Sequence, residues 1–234
     1  PLHLSDAEPR GRVAAAGGRA GGVHEGWGQT RDPAVSRAVP EVRLAGRGGQ
    51  GVVTAGELLG LAVVSEGRHA QAMPAFGPER RGALASCTVR VADGEILLKY
   101  AAAAPGCVMV LDPTIWHVAN VTLGLAEGGV LLFNTPRRPE DVEADLRSGR
   151  HGYRLAVRAA SVMTVDATGI ALEVLGRPIP NTALLGALTA ATDLVALESI
   201  ERVVRERFPR RAEANVRAAR AGRERLCRRA AGAA

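Results

Sequence analysis

Residues 41–66 read Glu41-Val42-Arg43-Leu44-Ala45-Gly46-Arg47-Gly48-Gly49-Gln50-Gly51-Val52-Val53-Thr54-Ala55-Gly56-Glu57-Leu58-Leu59-Gly60-Leu61-Ala62-Val63-Val64-Ser65-Glu66. This stretch decides the fold class. Residues 41–45 form a short strand that runs into the glycine-rich segment 46–51. From Val52 to about Glu66, the side chains of Val52, Ala55, Leu58, Leu59, Ala62 and Val63 recur on one broad apolar face, which is the pattern of a helix packed on a sheet. A strand, a tight glycine turn and a helix in that order open a layered α/β sheet.

The pattern continues outward. Residues 69–73 read as a second strand, followed by a long loop over 74–82. Residues 83–91 and 95–98 flank Asp93-Gly94, a type I′ hairpin signal. Runs at 107–111, 130–134 and 162–166 are of the buried, parallel-strand type. Helices are predicted near 140–146, over 168–175 (stopped by Gly176 and Pro178), and over 182–191 behind Asn181. Two more follow, at 197–208, stopped by Pro209, and from Arg211 to about Arg229. The predicted fold is therefore α/β: a three-layer α/β/α arrangement around a mostly parallel mixed sheet, with a helical C-terminal part. Residues 1–40 are rich in Gly, Ala and Arg without period and read as a disordered extension. The domain proper spans 41–220, and 221–234 reads as a basic flexible tail.

Composition excludes several classes. The 234 residues contain three cysteines, Cys87, Cys107 and Cys227, with no CxxC pair. That argues against a disulfide scaffold, a structural zinc or an iron–sulfur cluster held by this chain alone. No apolar run reaches the length of a membrane span and no signal peptide opens the chain, so a cytoplasmic location without membrane contact is expected. The net charge of +6 is unevenly placed. Residues 41–201 carry 14 basic against 17 acidic residues, whereas 202–234 carry 11 arginines against three glutamates. A body that is slightly acidic has no polyanion-binding face, and the basic end lacks the interleaved aromatics that stack on single strands. No nucleic-acid partner is expected.

Two loops carry chemistry. Gly46-x-Gly48-x-x-Gly51 lies between a strand and a helix, where glycines let backbone approach a phosphate and the helix's free N–H groups meet its charge. Gly77-Pro78-Glu79-Arg80-Arg81-Gly82 presents two guanidinium forks suited to phosphate or carboxylate. The second strand is expected next to the first in a right-handed βαβ unit, so both loops share one carboxyl edge and form a phosphate-binding crevice. A dinucleotide-binding oxidoreductase of the NAD type is one alternative, but the ribose-binding acid is missing from 69–73. A nucleic-acid-binding protein using its basic tail is another. Asp112 and Asp166 end strands and read as turn formers. His69, His117 and His151 lack metal spacing, Cys107 reads as inert, and no catalytic set is visible. That profile is odd for a complete enzyme.

The two loops, together with Val165-Asp166-Ala167-Thr168, Leu175-Gly176-Arg177-Pro178-Ile179, Asn181-Thr182-Ala183-Leu184-Leu185-Gly186 and Glu206-Arg207-Phe208-Pro209, closely resemble the gamma subunit of pyruvate-type 2-oxoacid:ferredoxin oxidoreductases. The resemblance covers about residues 41–220. It implies a non-autonomous enzyme subunit in a complex that converts a 2-oxoacid to acyl-coenzyme A and reduces ferredoxin. It further implies alpha, beta and delta-type partner subunits that hold thiamine diphosphate and iron–sulfur clusters, with coenzyme A as co-substrate and no cofactor tightly bound on this chain. By the same resemblance, the coenzyme A contacts fall on Gly48, Gly49, Gln50, Gly51, Arg80, Arg81, Asn181 and Asn215. The Glu79-Arg80-Arg81 form of the basic loop favours pyruvate or a branched-chain 2-oxoacid. Some relatives fuse this part to a ferredoxin-like part, whereas here the chain ends in an Arg/Ala-rich stretch without cluster cysteines.

Overall fold

Along each inner strand the apolar side chains alternate, and the alternation sorts them onto the two faces of one sheet. The computed structural model describes residues 41–77, 83–97, 104–149 and 160–228. In chain order the elements are β1 (Glu41–Arg47), α1 (Val52–Ser65), β2 (His69–Phe76), β3 (Leu84–Ala92), β4 (Cys107–Val110), a 3-10 turn (Pro113–His117) and β5 (Val130–Asn134). Then come α2 (Pro139–Ser148), β6 (Ser161–Val165), α3 (Ala167–Leu175), α4 (Asn181–Ala191), α5 (Leu197–Arg207), α6 (Ala212–Glu224) and β7 (Cys227–Arg228). The described strands make one sheet in the order β2-β3-β1-β4-β5-β6-β7. Its middle, β1-β4-β5-β6, is parallel, while β3 joins β1, β2 joins β3 and β7 joins β6 in antiparallel pairing.

Val42, Leu44, Cys107, Met109, Leu132 and Val165 face one core, shared with α1, α3, α4, α5 and α6. Val108, Val110, Leu131, Phe133 and Val162 face the other, closed by Trp116, Val121, Leu125 and, from α2, Val142 and Leu146. This is the three-layer α/β/α arrangement, with the heavier helical layer built from the C-terminal half of the chain. β3 is locked to β1 by an ion pair as well as by the ladder. Arg90 Nε donates to Glu41 Oε1 at 2.7 Å, with both side chains 1% exposed. Removing either partner would strand the other charge in the interior.

Three sequence expectations change. Residues 95–97 form no strand, and Leu98 lies outside the described residues, so the hairpin around Asp93-Gly94 does not form. The hairpin partner of β3 is β2, with His69 opposite Ala92 and Phe76 opposite Ala85. Nor does β2 lie beside β1, because β3 occupies that slot. Burial explains the order: β3 carries Ala85, Cys87, Val89 and Val91 fully into the core, whereas β2 is half-buried to exposed throughout and suits an edge. At the other end, α6 stops at Glu224 rather than near Arg229, and residues up to 228 belong to the fold rather than to a tail starting at 221. Ala218, Ala219 and Gly222 pack into the core side of α6, Arg225 pairs with Glu173 at 2.7 Å, and the Arg228 guanidinium donates to the Ala190 carbonyl. Residues 1–40 and 229–234 lie outside the described residues.

Candidate functional site

The glycine loop closes on itself before it meets anything else. Arg47 and Gln50 are joined twice: the Gln50 N–H donates to the Arg47 carbonyl at 3.2 Å, and the Arg47 N–H donates to Gln50 Oε1 at 2.8 Å. Gly48 and Gly49 form the turn between them, with Gly49 at φ +97°. Gly51 follows at φ +78° and caps α1. Both φ values lie in the region where a Cβ meets the neighbouring carbonyl, so both positions require glycine. The Gly48 N–H donates to the Ala83 carbonyl at 3.1 Å, and the Gly77 N–H to the Leu84 carbonyl at 2.9 Å. The Ala83 end of the connection between β2 and β3 therefore meets the glycine loop, and its Gly77 end lies one strand further out on the same carboxyl edge of the sheet. Arg80 and Arg81 belong to that connection but lie outside the described residues.

The loop sits where the sheet changes direction. The chain leaves β1 to build β2 and β3 on one side, then returns to build β4, β5 and β6 on the other, and open α/β sheets take ligands at such a point. The neighbouring strand ends there also carry polar groups. Asp112, after β4, accepts from the Thr114 N–H at 2.8 Å, from Gln50 Nε2 at 3.0 Å and, as an ion pair, from Arg47 Nε at 3.3 Å. Asn134, at the end of β5, donates to the Leu111 carbonyl at 2.7 Å and accepts from the Thr168 N–H at 3.0 Å. Asp166, after β6, caps α3 through the Gly169 N–H at 2.8 Å.

Asn181 reaches the same place from a distant part of the chain. It is the first residue of α4, and its Nδ2 lies so close to Gly51 that a Cβ there would come within 2.5 Å. The N-termini of α1 and α4 thus converge, two positive dipole ends at one edge. Asn181 Oδ1 accepts from the Thr182 N–H at 2.8 Å. Thr182 Oγ1 donates in turn to Asn215 Oδ1 at 3.1 Å, and Asn215 Nδ2 donates to the Arg211 carbonyl at 3.0 Å. Asn215 is buried; its Oδ1 ties α6 to α4 and its Nδ2 holds the start of α6.

Of the predicted contacts, Gly48, Gly49, Gln50, Gly51 and Asn181 come together directly, and Asn215 joins them through Thr182. Both ends of the Gln50 amide and of the Asn215 amide also make a hydrogen bond within the protein. The loop's own bonds leave the N–H groups of Gly49 and Gly51 without an acceptor among the described residues, beside the free first-turn N–H groups of α1. That is a cradle for an anion such as a phosphate. It does not make a dinucleotide site of the NAD type, which needs the second strand next to the first; antiparallel β3 stands between them.

Sequence reasoning missed Asn134 and the second half of Asp112's role. A polar residue at the carboxyl end of a buried strand was the available signal. The thiols play no part here: burial pushes Cys107 up to about 12 and Cys87 up to about 11. Among the described residues no cluster of three or more His, Cys, Asp or Glu could hold a metal ion, and no helix is long and apolar enough to cross a membrane. A hollow of about 590 Å³ elsewhere is lined by Glu66, Asp193, Glu198 and Arg223. Two of its polar walls are committed to helix ends, Glu66 to the Ala196 N–H at 2.8 Å and Arg223 to the Thr189 carbonyl at 2.7 Å.

Residues 41–225 match the family model described as pyruvate ferredoxin/flavodoxin oxidoreductase. The chain is 44% identical over 168 residues to the pyruvate/ketoisovalerate oxidoreductases common subunit gamma of Thermococcus kodakarensis, covering 72% of this chain and 86% of that one. It is 41% identical over 187 residues to the pyruvate synthase subunit PorC of Methanothermobacter marburgensis, covering 80% and 97%. Among solved structures, the pyruvate oxidoreductase subunit PORC of Thermotoga maritima superposes with a TM-score of 0.69 at 36% identity, covering 82% of this chain and 99% of that one.

Proposed function

The chain belongs to the pyruvate ferredoxin/flavodoxin oxidoreductase family, and on that premise we propose that it is the gamma subunit of a 2-oxoacid:ferredoxin oxidoreductase, with coenzyme A bound at its glycine loop. The substrate class is pyruvate or a branched-chain 2-oxoacid, in keeping with the names of its relatives. In the assembled complex the 2-oxoacid loses carbon dioxide, two electrons leave for ferredoxin, and the acyl group is transferred to the coenzyme A sulfur, whose proton is released.

The observation that carries this reading is the cradle at the switch point. Two left-handed glycines and two converging helix N-termini leave backbone N–H groups for an anion, and the basic loop ends beside them at Ala83. Coenzyme A has phosphates to place there and a long arm to reach a reacting centre on another subunit. This chain's residues do not fit an iron–sulfur cluster: Cys87 and Cys107 are buried in the core and Cys227 is exposed apart from them. Thiamine diphosphate and the clusters are assigned to alpha, beta and delta-type subunits, so the chain binds and assembles and performs no chemistry alone. The complex is assigned to the cytoplasm.

The test is reconstitution. Chain purified alone should show no 2-oxoacid-dependent reduction of a viologen dye and no stoichiometric iron, and turnover should appear only with its partners. In that complex, Arg80→Ala with Arg81→Ala should raise the coenzyme A Michaelis constant tenfold or more, since each charge-assisted hydrogen bond is worth roughly 1.5–3 kcal/mol. Turnover by the isolated chain would overturn the subunit reading. An assembled double variant that keeps its coenzyme A constant while losing pyruvate affinity would overturn the site.

A further inference from the structure

Gln50 and Asp112 are 62 positions apart, yet each spends its side chain on the other. The Gln50 amide is used at both ends: Oε1 takes the Arg47 N–H and Nε2 gives to Asp112 Oδ2. The Asp112 carboxylate is full. Oδ1 takes the Thr114 N–H at 2.8 Å and hydroxyl at 2.7 Å, and Oδ2 takes Gln50 Nε2 at 3.0 Å and Arg47 Nε at 3.3 Å. The carboxylate has no capacity left for a ligand, while the Gln50 amide keeps one N–H and one lone pair beyond the brace. Asp112 itself is held at one height by its cap on the Pro113–His117 turn, so it is a fixed point against which the glycine loop is drawn.

We infer that Asp112 is a positioning residue which, through Gln50, presets the glycine loop in its anion-binding shape. The reason is geometric. A turn with Gly49 at φ +97° has high conformational entropy when free, and an unbraced loop would order only on binding. Clamping Arg47 to Gln50 at the base of the turn, and Gln50 to the end of β4, removes that cost beforehand. It also consumes the groups that would otherwise compete for the anion: a negative carboxylate near a phosphate site is neutralised by Arg47 and turned away by Gln50. This inference rests on coenzyme A being the loop's ligand, and it assigns Gln50 a bracing role.

The experiment uses the assembled complex, with coenzyme A titrated calorimetrically in the absence of 2-oxoacid and steady-state constants measured in parallel. Asp112→Asn keeps the shape but puts two donors face to face at Gln50. Gln50→Glu puts two acceptors face to face. Each should weaken coenzyme A about tenfold, leaving kcat at saturating coenzyme A and the 2-oxoacid Michaelis constant within twofold. The swap Gln50→Glu with Asp112→Asn restores the bond with its donor reversed and moves the carboxylate that neutralises Arg47 from position 112 to the adjacent position 50, so it should return to within threefold of the parent. A merely structural role would not produce this rescue confined to coenzyme A. If a single variant fails to assemble, the swap carries the test: parent-like affinity supports the brace and a tenfold loss overturns it. Gly49→Val in the same complex separates the two levels of the reading. If it weakens coenzyme A while Asp112→Asn does not, the brace is wrong and the coenzyme A site stands. If neither weakens it, the site is wrong and the brace falls with it.

Discussion

Replacing Gly51 by alanine should damage this protein in two separable ways. At φ +78° an alanine pays the left-handed penalty, roughly 1–2 kcal/mol. Its Cβ would also stand 2.5 Å from Asn181 Nδ2, and crowding of that kind in a packed site adds about 1–3 kcal/mol. Gly49 supplies the control. It has φ +97° with nothing within 4 Å of a Cβ, so Gly49→Ala carries the backbone penalty alone. The expected losses are therefore about 2–5 kcal/mol for Gly51→Ala and about 1–2 kcal/mol for Gly49→Ala. Asn181→Ala by itself forfeits the bond to the Thr182 N–H, about 0.5–1.5 kcal/mol. On the Gly51→Ala background the same change removes the crowding, so the double variant should be more stable than the sum of the singles by at least about 1 kcal/mol. Urea unfolding of the full chain, followed by circular dichroism at constant m-value, measures all four corners. Equal losses at Gly49 and Gly51, or additivity within about 0.5 kcal/mol, would refute the convergence of the two helix N-termini.

Other outcomes follow from the same packing. A Cβ on Gly186 would fall 1.8 Å from the Ala219 carbonyl oxygen, a backbone atom that cannot swing aside, so Gly186→Ala should cost about 3 kcal/mol or more and lower the thermal midpoint sharply; a change within 2 °C would be incompatible with that contact. The hydrogen bond from Arg220, 2.6 Å from Glu201 Oε1, leads the influences that hold the Glu201 carboxyl below its usual 4.5, against the opposing pull of partial burial. Its contribution is present above that unfolded value and is lost as pH falls through the lower folded one, so thermal midpoints should decline below about pH 4.5 and Glu201→Gln should flatten the decline; an unchanged acid limb would count against it. With thiols pushed up to about 12 and about 11 inside the core, Cys107 and Cys87 should resist an aromatic disulfide reagent at pH 8 while exposed Cys227 reacts, giving one fast thiol in the native chain and three after unfolding.

The elements were legible because their signals are local. The strand, glycine turn and helix over residues 41–66 and the buried runs of β4, β5 and β6 are written in consecutive residues, and so are the stops at Gly176 and Pro209. The family resemblance was legible for the same reason, since it rests on contiguous motifs, and it holds. Pairing was not. Asp93-Gly94 is a strong local turn signal, but β3 is already paired on both edges, with β1 and with β2, and has none left for a strand over residues 95–98.

The site divides along the same line. That Gly48, Gly49 and Gly51 would form a tight turn between β1 and α1 could be read from spacing, because glycine tolerates such a turn. That Asn181 would press against Gly51, that Asn215 would turn inward to Thr182, and that Gln50 would face Asp112 could not. Each depends on partners 33 to 130 positions away along the chain. An amide or a carboxylate has several equivalent ways to be satisfied, and sequence alone leaves them open. Only the folded sheet, by bringing the ends of β1 and β4 and the starts of α1 and α4 to one edge, decides which of them is taken.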